Sequence, residues 1–178
     1  APTTVEWGPP GLQRGPDEFW VRDSERLDKA GNIWLHEYVH TRQAARTENS
    51  SRWLVEGSAE YYANYLTLRQ GRIGFQSFRD HLRFGTRDVY RDAVLAERDD
   101  REGTGANYWK GSLVVAAIDR RIRLSTDRQR TFADVYRRLN DRRNFTNEEF
   151  LEAVDEVAGP EVRRYARRHT TTGAAPEL

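Results

Sequence analysis

The chain has 178 residues, enough for one domain with a hydrophobic core, and its 29 basic and 28 acidic residues leave a formal net charge of +1. That balance creates no global field to attract a polyanion, so we expect no nucleic-acid partner. Cysteine is absent, which excludes disulfides and thiolate metal ligands. No apolar run approaches the roughly 18 residues that cross a bilayer, so we expect no membrane span.

The N-terminal part, residues 1–28, is expected to form a small β element. Residues 5–7 and 18–22 are the best strand candidates, because they are rich in β-branched and aromatic side chains. The glycine- and proline-rich stretch between them favours a turn or loop. A helix is predicted to begin within residues 29–32.

The pentapeptide His36-Glu37-Tyr38-Val39-His40 is typical of a metal-binding helix. Four residues advance about one helical turn, so His36 and His40 project from one face, as a tetrahedral zinc requires. Glu37 lies about 100° around the helix, close enough to reach a metal-bound water without being a ligand. We therefore predict Glu37 as a general base. The alternative is a pair of buried core histidines whose nitrogens are satisfied within the protein.

A second helix is predicted after a polar loop at residues 47–51. Apolar and aromatic residues recur at helical spacing from residue 53 to residue 68, Ser50 or Ser51 is placed to cap the start, and Gly71 marks the end. The residues from 29 to 70 thus form a pair of candidate zinc-binding helices.

Glu56 and Glu60 share one face of this second helix. A catalytic zinc that is held by two imidazoles needs one more protein ligand and one open position. We expect Glu56 to be the third ligand of a single Zn²⁺. Glu60 is expected to accept the free N–H of a zinc-bound imidazole and to fix its tautomer. For either glutamate the alternative is a place on a solvated helix face.

Residues 71–178 are expected to be helical. Residues 74–82 show a helical period and include His81, which as a lone histidine is interpreted as structural or exposed rather than as a ligand. Residues 97–105 have no apolar period and favour an exposed loop. Residues 112–124 predict a buried helix.

Two or three further helices are expected to complete the domain. Thr146 and Glu149 have the spacing of a capping box at the start of one of them. Counted over the whole chain, helices dominate and the predicted class is α+β.

The motifs together resemble the gluzincin metallopeptidases, especially the families of aminopeptidase N, leukotriene A4 hydrolase and the glycyl aminopeptidases. Those families carry the pattern of residues 36–40, then a Trp-Leu-x-Glu-Gly-x-x-Glu-Tyr-type segment that matches residues 53–61, and later a Tyr-x-Lys-Gly segment that matches residues 108–111. The resemblance implies a zincin-like catalytic domain. It also implies that Tyr108 is the phenol that stabilises the tetrahedral intermediate. The likeness spans most of the chain.

Two departures from the families bear on the substrate. The spacing between His40 and Glu56 is shorter than in the aminopeptidase N group. Residues 8–15 contain no glutamate where the aminopeptidases use one to grip the free amine of the substrate. Aminopeptidase specificity therefore does not carry over, and endopeptidase cleavage or loss of activity stays open.

The sequence thus predicts a zinc-dependent metallopeptidase that acts on peptide or protein substrates. Three alternatives stay open: a catalytically silent zinc-binding scaffold, a hydrolase of another type such as an epoxide hydrolase, and a peptide-binding module of the same fold. Because the chain begins at Ala1 and contains no methionine, we expect a trimmed part of a longer protein. Such processing fits a secreted or cell-surface protein, although the sequence assigns neither a compartment nor an oligomeric state.

Overall fold

A computed structural model of the chain describes residues 11–13, 15–22, 24–43, 46–47, 49–97, 104–140, 142 and 144–177. This part is mostly helical and has two small two-stranded sheets, which confirms the α+β, mostly helical class. Its helices are α1 (Ile33–Arg42), α2 (Arg52–Arg69), α3 (Phe75–Leu82), α4 (Asp88–Arg91), α5 (Thr104–Ser125), α6 (Phe132–Asn140), α7 (Asn147–Ala158) and α8 (Pro160–Thr171). Within these ranges no helix has the length and apolar character that a membrane crossing requires.

The strands are β1 (Gly11–Gln13), β2 (Phe19–Val21), β3 (Arg46–Thr47) and β4 (Asn144–Phe145). Strands β1 and β2 pair antiparallel, with Gly11 opposite Val21, and this hairpin packs against α1. Strands β3 and β4 pair parallel. Short 3₁₀ segments at Asn49–Ser51, Arg83–Thr86 and Leu95–Glu97 connect the helices.

Helix α1 begins at Ile33, one residue after the predicted range of 29–32, because Asn32 caps it. The Asn32 side chain accepts a hydrogen bond from Leu35 N at 3.2 Å and donates to Leu27 O at 2.6 Å. The Trp34 indole also donates to Glu25 O at 3.1 Å. These bonds satisfy a free backbone donor at the helix start and tie the preceding segment to α1. The orientation of the helix that carries both histidines of the motif is thereby fixed.

Helices α2 and α5 cross in the middle of the molecule at a pair of glycines. A Cβ atom added to Gly57 would lie 2.6 Å from the carbonyl carbon of Gly111, and one added to Gly111 would lie 3.0 Å from the Cα of Gly57. Only glycine at both positions lets the two backbones approach this closely. The crossing sets Glu56 on α2 beside Tyr108 on α5.

The predicted end of α2 is confirmed at Gly71, which adopts a φ of 69°. Gly71 N donates to Leu68 O at 2.9 Å and Arg72 N donates to Thr67 O at 3.1 Å, which is the bonding pattern of a Schellman cap. The predicted side-chain cap at the other end is wrong. Ser51 occupies the cap position, but its hydroxyl makes no capping bond.

Both serines before α2 instead join this helix to a distant part of the chain. The Ser51 hydroxyl donates to Phe145 O at 2.6 Å, and Ser50 Oγ accepts from Asn147 N at 3.3 Å. The two serine hydroxyls thus bond to Phe145 and Asn147, nearly a hundred positions away, instead of to the first turn of α2.

Two strand predictions need correction. Strand β1 lies in the glycine- and proline-rich stretch that was expected to be a loop, and β3 lies at the start of the predicted polar loop. In both cases pairing with another strand outweighs the local turn signal. Strand β2 confirms the prediction for residues 18–22, while residues 5–7 lie outside the described residues.

Helix α5 begins at Thr104, earlier than the sequence predicts. Gly105 is therefore helical rather than part of the loop predicted at residues 97–105, of which residues 98–103 lie outside the described residues. Tyr108 sits in the second turn of the helix. The packing gives the reason, since a Cβ at Gly105 would lie 2.7 Å from the Tyr90 ring. A glycine that signals a loop in isolation here allows an aromatic ring to pack on the first turn.

The predicted helix at residues 74–82 is confirmed as α3, with Gly74 in the cap position. The capping box at the start of α7 is also confirmed. The Thr146 hydroxyl accepts from Glu149 N at 3.2 Å, and Thr146 N donates to the Glu149 carboxylate at 2.8 Å. These elements follow local signals alone.

Candidate metal centre

Three predicted ligand atoms converge at the contact between α1 and α2. His36 Nε2 lies 3.0 Å from His40 Nε2 and 3.4 Å from Glu56 Oε2, and His40 Nε2 lies 3.3 Å from the same oxygen. Ligands at about 2.0–2.1 Å from a tetrahedral zinc are about 3.3–3.4 Å apart. The triangle therefore has the dimensions of three ligands around one small divalent cation.

The donor set fits a zinc ion as well. His36 is 2% exposed, and Glu56 Oε2 is buried without a hydrogen-bond partner in the described part of the chain. A buried carboxylate oxygen that faces two imidazoles needs a positive charge or a proton between them. Two nitrogens and one oxygen from protein, with a further position left open, are the donors of catalytic zinc sites.

The tautomers of both imidazoles follow from their outer neighbours. His36 Nδ1 lies 2.9 Å from Glu60 Oε2, so it carries a proton and donates to the carboxylate. His40 Nδ1 lies 2.6 Å from Gln43 Oε1, and the Gln43 amide nitrogen donates to Val55 O at 2.9 Å. Because a carbonyl only accepts, the amide oxygen must face His40. Both Nε2 atoms are thus the ones directed at the cluster.

The structure places Glu60 where the sequence predicts, and it adds Gln43, which the sequence analysis missed. Gln43 is the C-cap of α1, and its amide nitrogen also donates to Ser58 Oγ on α2 at 2.9 Å. This side chain therefore joins α1 to α2 beside His40. Its position three residues after His40 was the available signal, since that spacing brings side chains together at a helix end.

His81 also belongs to the support of the cluster. Its Nε2 forms a short hydrogen bond with Glu60 Oε1, and its ring packs edge-on against Trp109 at 5.2 Å between centroids. The Glu60 carboxylate thus bridges His36 and His81. His81 lies outside the group of candidate ligands, and its role in holding Glu60 depends on a contact that the sequence does not show.

The charges in the cluster reinforce one another. Burial lowers the pKa of His36, but the neighbouring carboxylates of Glu56 and Glu60 outweigh that effect and raise it to about 9. Burial raises the pKa of Glu56, yet the two imidazoles of His36 and His40 beside it bring that pKa well below its usual range. For Glu60, the bonds from His36 and His81 outweigh burial and lower the pKa to about 2. In the metal-free protein a proton on His36 therefore occupies the centre of the cluster.

Glu37 and Tyr108 flank the same cluster. Glu37 is 6% exposed, and a Cβ atom added to Gly11 would lie 2.7 Å from its Cγ, so the backbone of β1 runs directly over this carboxylate. The Tyr108 ring stacks on His36 with 5.5 Å between centroids and an interplanar angle of 11°. Burial, followed by the charge of Glu56, raises the pKa of Tyr108 above its ordinary value, so its hydroxyl stays a donor.

Lys110 has a structural position. Its side chain is fully buried, and Nζ donates to the carbonyl oxygens of Arg91, Ala93 and Gly173 at 2.6, 2.7 and 2.9 Å. These bonds hold the end of α4 and the C-terminal segment against α5. Within the motif Tyr108-Trp109-Lys110-Gly111, Tyr108 stacks on the candidate ligand His36, Trp109 packs against His81, and Lys110 bonds to carbonyl oxygens away from the cluster.

Comparisons of the chain with protein-family profiles, with curated proteins and with known structures found no match. The geometry of the cluster and its neighbours therefore carries the functional argument. The arrangement can hold one cation between two imidazoles and a carboxylate, with a second carboxylate and a phenol beside it.

Proposed function

We propose that this chain is a zinc-dependent metallopeptidase of the gluzincin type, with a zincin-like catalytic domain. The observation that carries the proposal is the convergence of His36, His40 and Glu56, whose ligand atoms lie 3.0 to 3.4 Å apart. The order of these residues along two consecutive helices supports it. So does a candidate base directly after the first ligand.

One Zn²⁺ would be held by His36, His40 and Glu56, and Gln43 and Glu60 orient the two imidazoles. When bound, such an ion supplies Lewis acidity, which lowers the pKa of water toward about 7 and polarises a carbonyl group. A dedicated hydrogen-bond acceptor on each imidazole keeps both Nε2 atoms directed at the site and increases their basicity.

Glu37 transfers the protons, and Tyr108 stabilises the charge that develops on the substrate. Glu37 takes a proton from the attacking water and delivers it to the departing amine, which balances the hydrolysis of the peptide bond. Tyr108 donates a hydrogen bond to the oxyanion of the tetrahedral intermediate, an interaction worth about 3–4 kcal/mol. Its position against His36, and its hydroxyl that stays protonated, suit this task.

The proposal is tested by incubating the zinc-loaded protein with a mixed peptide library and identifying the products by mass spectrometry. We expect the parent to cleave and Glu37→Gln to bind zinc equally while losing about 10²–10⁴-fold in rate. The matched control is Glu161→Gln, since the Glu161 side chain is 90% exposed and lies on α8, which carries none of the candidate site residues. Product masses also separate cleavage at a chain end from internal cleavage.

Equal turnover by the parent and Glu37→Gln would remove Glu37 as the base. If zinc raises the melting temperature but no library peptide is cleaved, the chain is a zinc-stabilised scaffold and the peptidase proposal is wrong. Metal content and melting curves measured on the same samples keep these outcomes apart.

A further inference from the structure

A groove of about 750 Å³ lies between α2, α3 and α5, and none of the three candidate zinc ligands lines it. Its floor is aromatic and aliphatic, with Tyr61, Tyr65 and Phe78 among the lining residues. Phe75 and Leu124 stand at its edges with 63% and 62% of their surface exposed. Apolar side chains this exposed beside a concave apolar floor are typical of a protein-binding surface.

Arginines surround the same groove. Arg79, Arg120 and Arg128 line it without an ion pair to any described carboxylate, while Glu177 is an acidic residue of the same lining. Arg123 is different, because Asp119 neutralises it at 2.7 Å. The groove thus carries a local positive charge on a chain whose formal net charge is only +1.

Arginines that are paired with carboxylates occur elsewhere in the described part of the chain. On α8, Arg163 bonds to Glu148 and Asp155, and Arg167 bonds to Glu148. Arg87 and Arg121 outside the groove also lack an ion pair among the described residues, but each lies over an aromatic ring. The groove is distinguished by three arginines without a carboxylate partner around one apolar floor. Arginine and aromatic residues are also the side chains most enriched where proteins bind each other.

We infer that this groove docks an acidic amphipathic helix of a partner protein. Such a helix would place apolar residues at i, i+3 or i+4 and i+7 on the aromatic floor. Its carboxylates would then face Arg79, Arg120 and Arg128. The inference is independent of the proposed peptidase activity, because the groove shares no residue with the candidate metal centre.

Among the helices that the structure describes, a second copy of the chain offers no such helix. The acidic helix α7 is the nearest match, but Glu148, Glu149 and Glu156 are engaged by arginines of the same chain. Its apolar residues Phe150 and Leu151 are fully buried. A membrane surface is also a poor fit, since a flat bilayer does not reach the floor of a concave groove.

The test starts from a displayed library of random peptide segments of about 16 residues, long enough for about four helical turns. Selection against the parent protein is expected to enrich segments with net negative charge and apolar residues at helical spacing. A synthetic peptide with the enriched pattern is then titrated against the parent and its variants by fluorescence anisotropy.

Leu124→Glu and Arg120→Glu are each expected to weaken binding by about tenfold or more. The matched controls are Val89→Glu and Arg168→Glu, which make the same changes at exposed sites outside the groove and should leave binding within about twofold. All four sites are exposed, so the fold is expected to survive, and circular dichroism checks it.

Enrichment of neutral or basic segments, no enrichment at all, or equal loss in the control variants would overturn the inference. So would a parent that sediments as a dimer which Leu124→Glu dissociates, because the occupant would then be a second copy. Co-sedimentation with vesicles of phosphatidylserine and phosphatidylcholine that Leu124→Glu abolishes, without peptide binding, would assign the surface to lipid instead.

Discussion

Replacing Lys110 with methionine tests whether this buried lysine, two residues after Tyr108, stabilises the fold or serves the reaction. The ammonium group donates to three buried carbonyl oxygens at 2.6, 2.7 and 2.9 Å. Methionine fills similar space but leaves those acceptors without their donor. A buried acceptor that loses its donor costs about 1–3 kcal/mol, so we expect about 3–5 kcal/mol for the three carbonyl oxygens together. At about 2–4 °C per kcal/mol for a chain of this size, the melting temperature should fall by roughly 6–20 °C.

The assay is thermal and urea unfolding, followed by far-UV circular dichroism, together with a zinc-affinity measurement on the folded protein. Lys29→Met is the control, because the chain's other lysine is an exposed partner of Glu25 at 2.6 Å and should contribute under about 1 kcal/mol. We expect Lys110→Met to lose stability while zinc affinity stays close to that of the parent. Unchanged stability with reduced peptide cleavage would refute the structural role and place Lys110 at the substrate.

Three further predictions concern the candidate metal centre and the crossing of α2 and α5. Gln43→Ala should weaken zinc binding about 10–100-fold in a chelator competition, and an unchanged affinity would remove its orienting role. Because the pKa of His36 is raised to about 9, that residue is protonated in the metal-free protein at about pH 7.5. Zinc binding should therefore release about one proton, and the affinity for zinc should rise as the pH approaches the pKa of His36. The measurement is titration calorimetry in two buffers of different ionisation enthalpy. Equal heats of zinc binding in the two buffers would contradict proton release. Gly57→Ala should lower the free energy of unfolding by about 1–3 kcal/mol because its Cβ would lie 2.6 Å from Gly111, whereas Gly74→Ala, with open space around it, should not.

The elements that the sequence predicts well are those whose signals are local. Helix α1 follows its cap at Asn32, α2 ends in a Schellman motif at Gly71, and α7 begins with the capping box of Thr146 and Glu149. Each depends on residues within about one turn of the helix end. Local sequence was therefore sufficient for these boundaries.

The elements that the sequence misses depend on distant partners. Strand β3 exists because residues 46–47 pair with residues 144–145, and Ser51 bonds to Phe145 instead of capping α2. Neither partner is visible in a local window. The early start of α5 is similar, because Tyr90 packs against a glycine that by itself suggests a loop.

The candidate centre divides in the same way. His36, His40 and Glu56 were predictable, because their chemistry and helical spacing together restrict what they can do. Gln43 and His81 were not, since an amide and a lone histidine acquire a role only through contact with His40 and Glu60. Residues such as Gln43 and His81, which hold the candidate ligands and their neighbours, are brought there by tertiary packing. Packing joins residues far apart in the chain, so a short stretch of sequence does not show it.

Anomalous X-ray scattering at the zinc edge, from crystals grown with Zn²⁺, tests the central claim most directly. We expect one ion per chain at about 2.0–2.2 Å from His36 Nε2, His40 Nε2 and Glu56 Oε2. An anomalous map with no peak between these three atoms, in crystals whose soak contained the metal, would contradict the account.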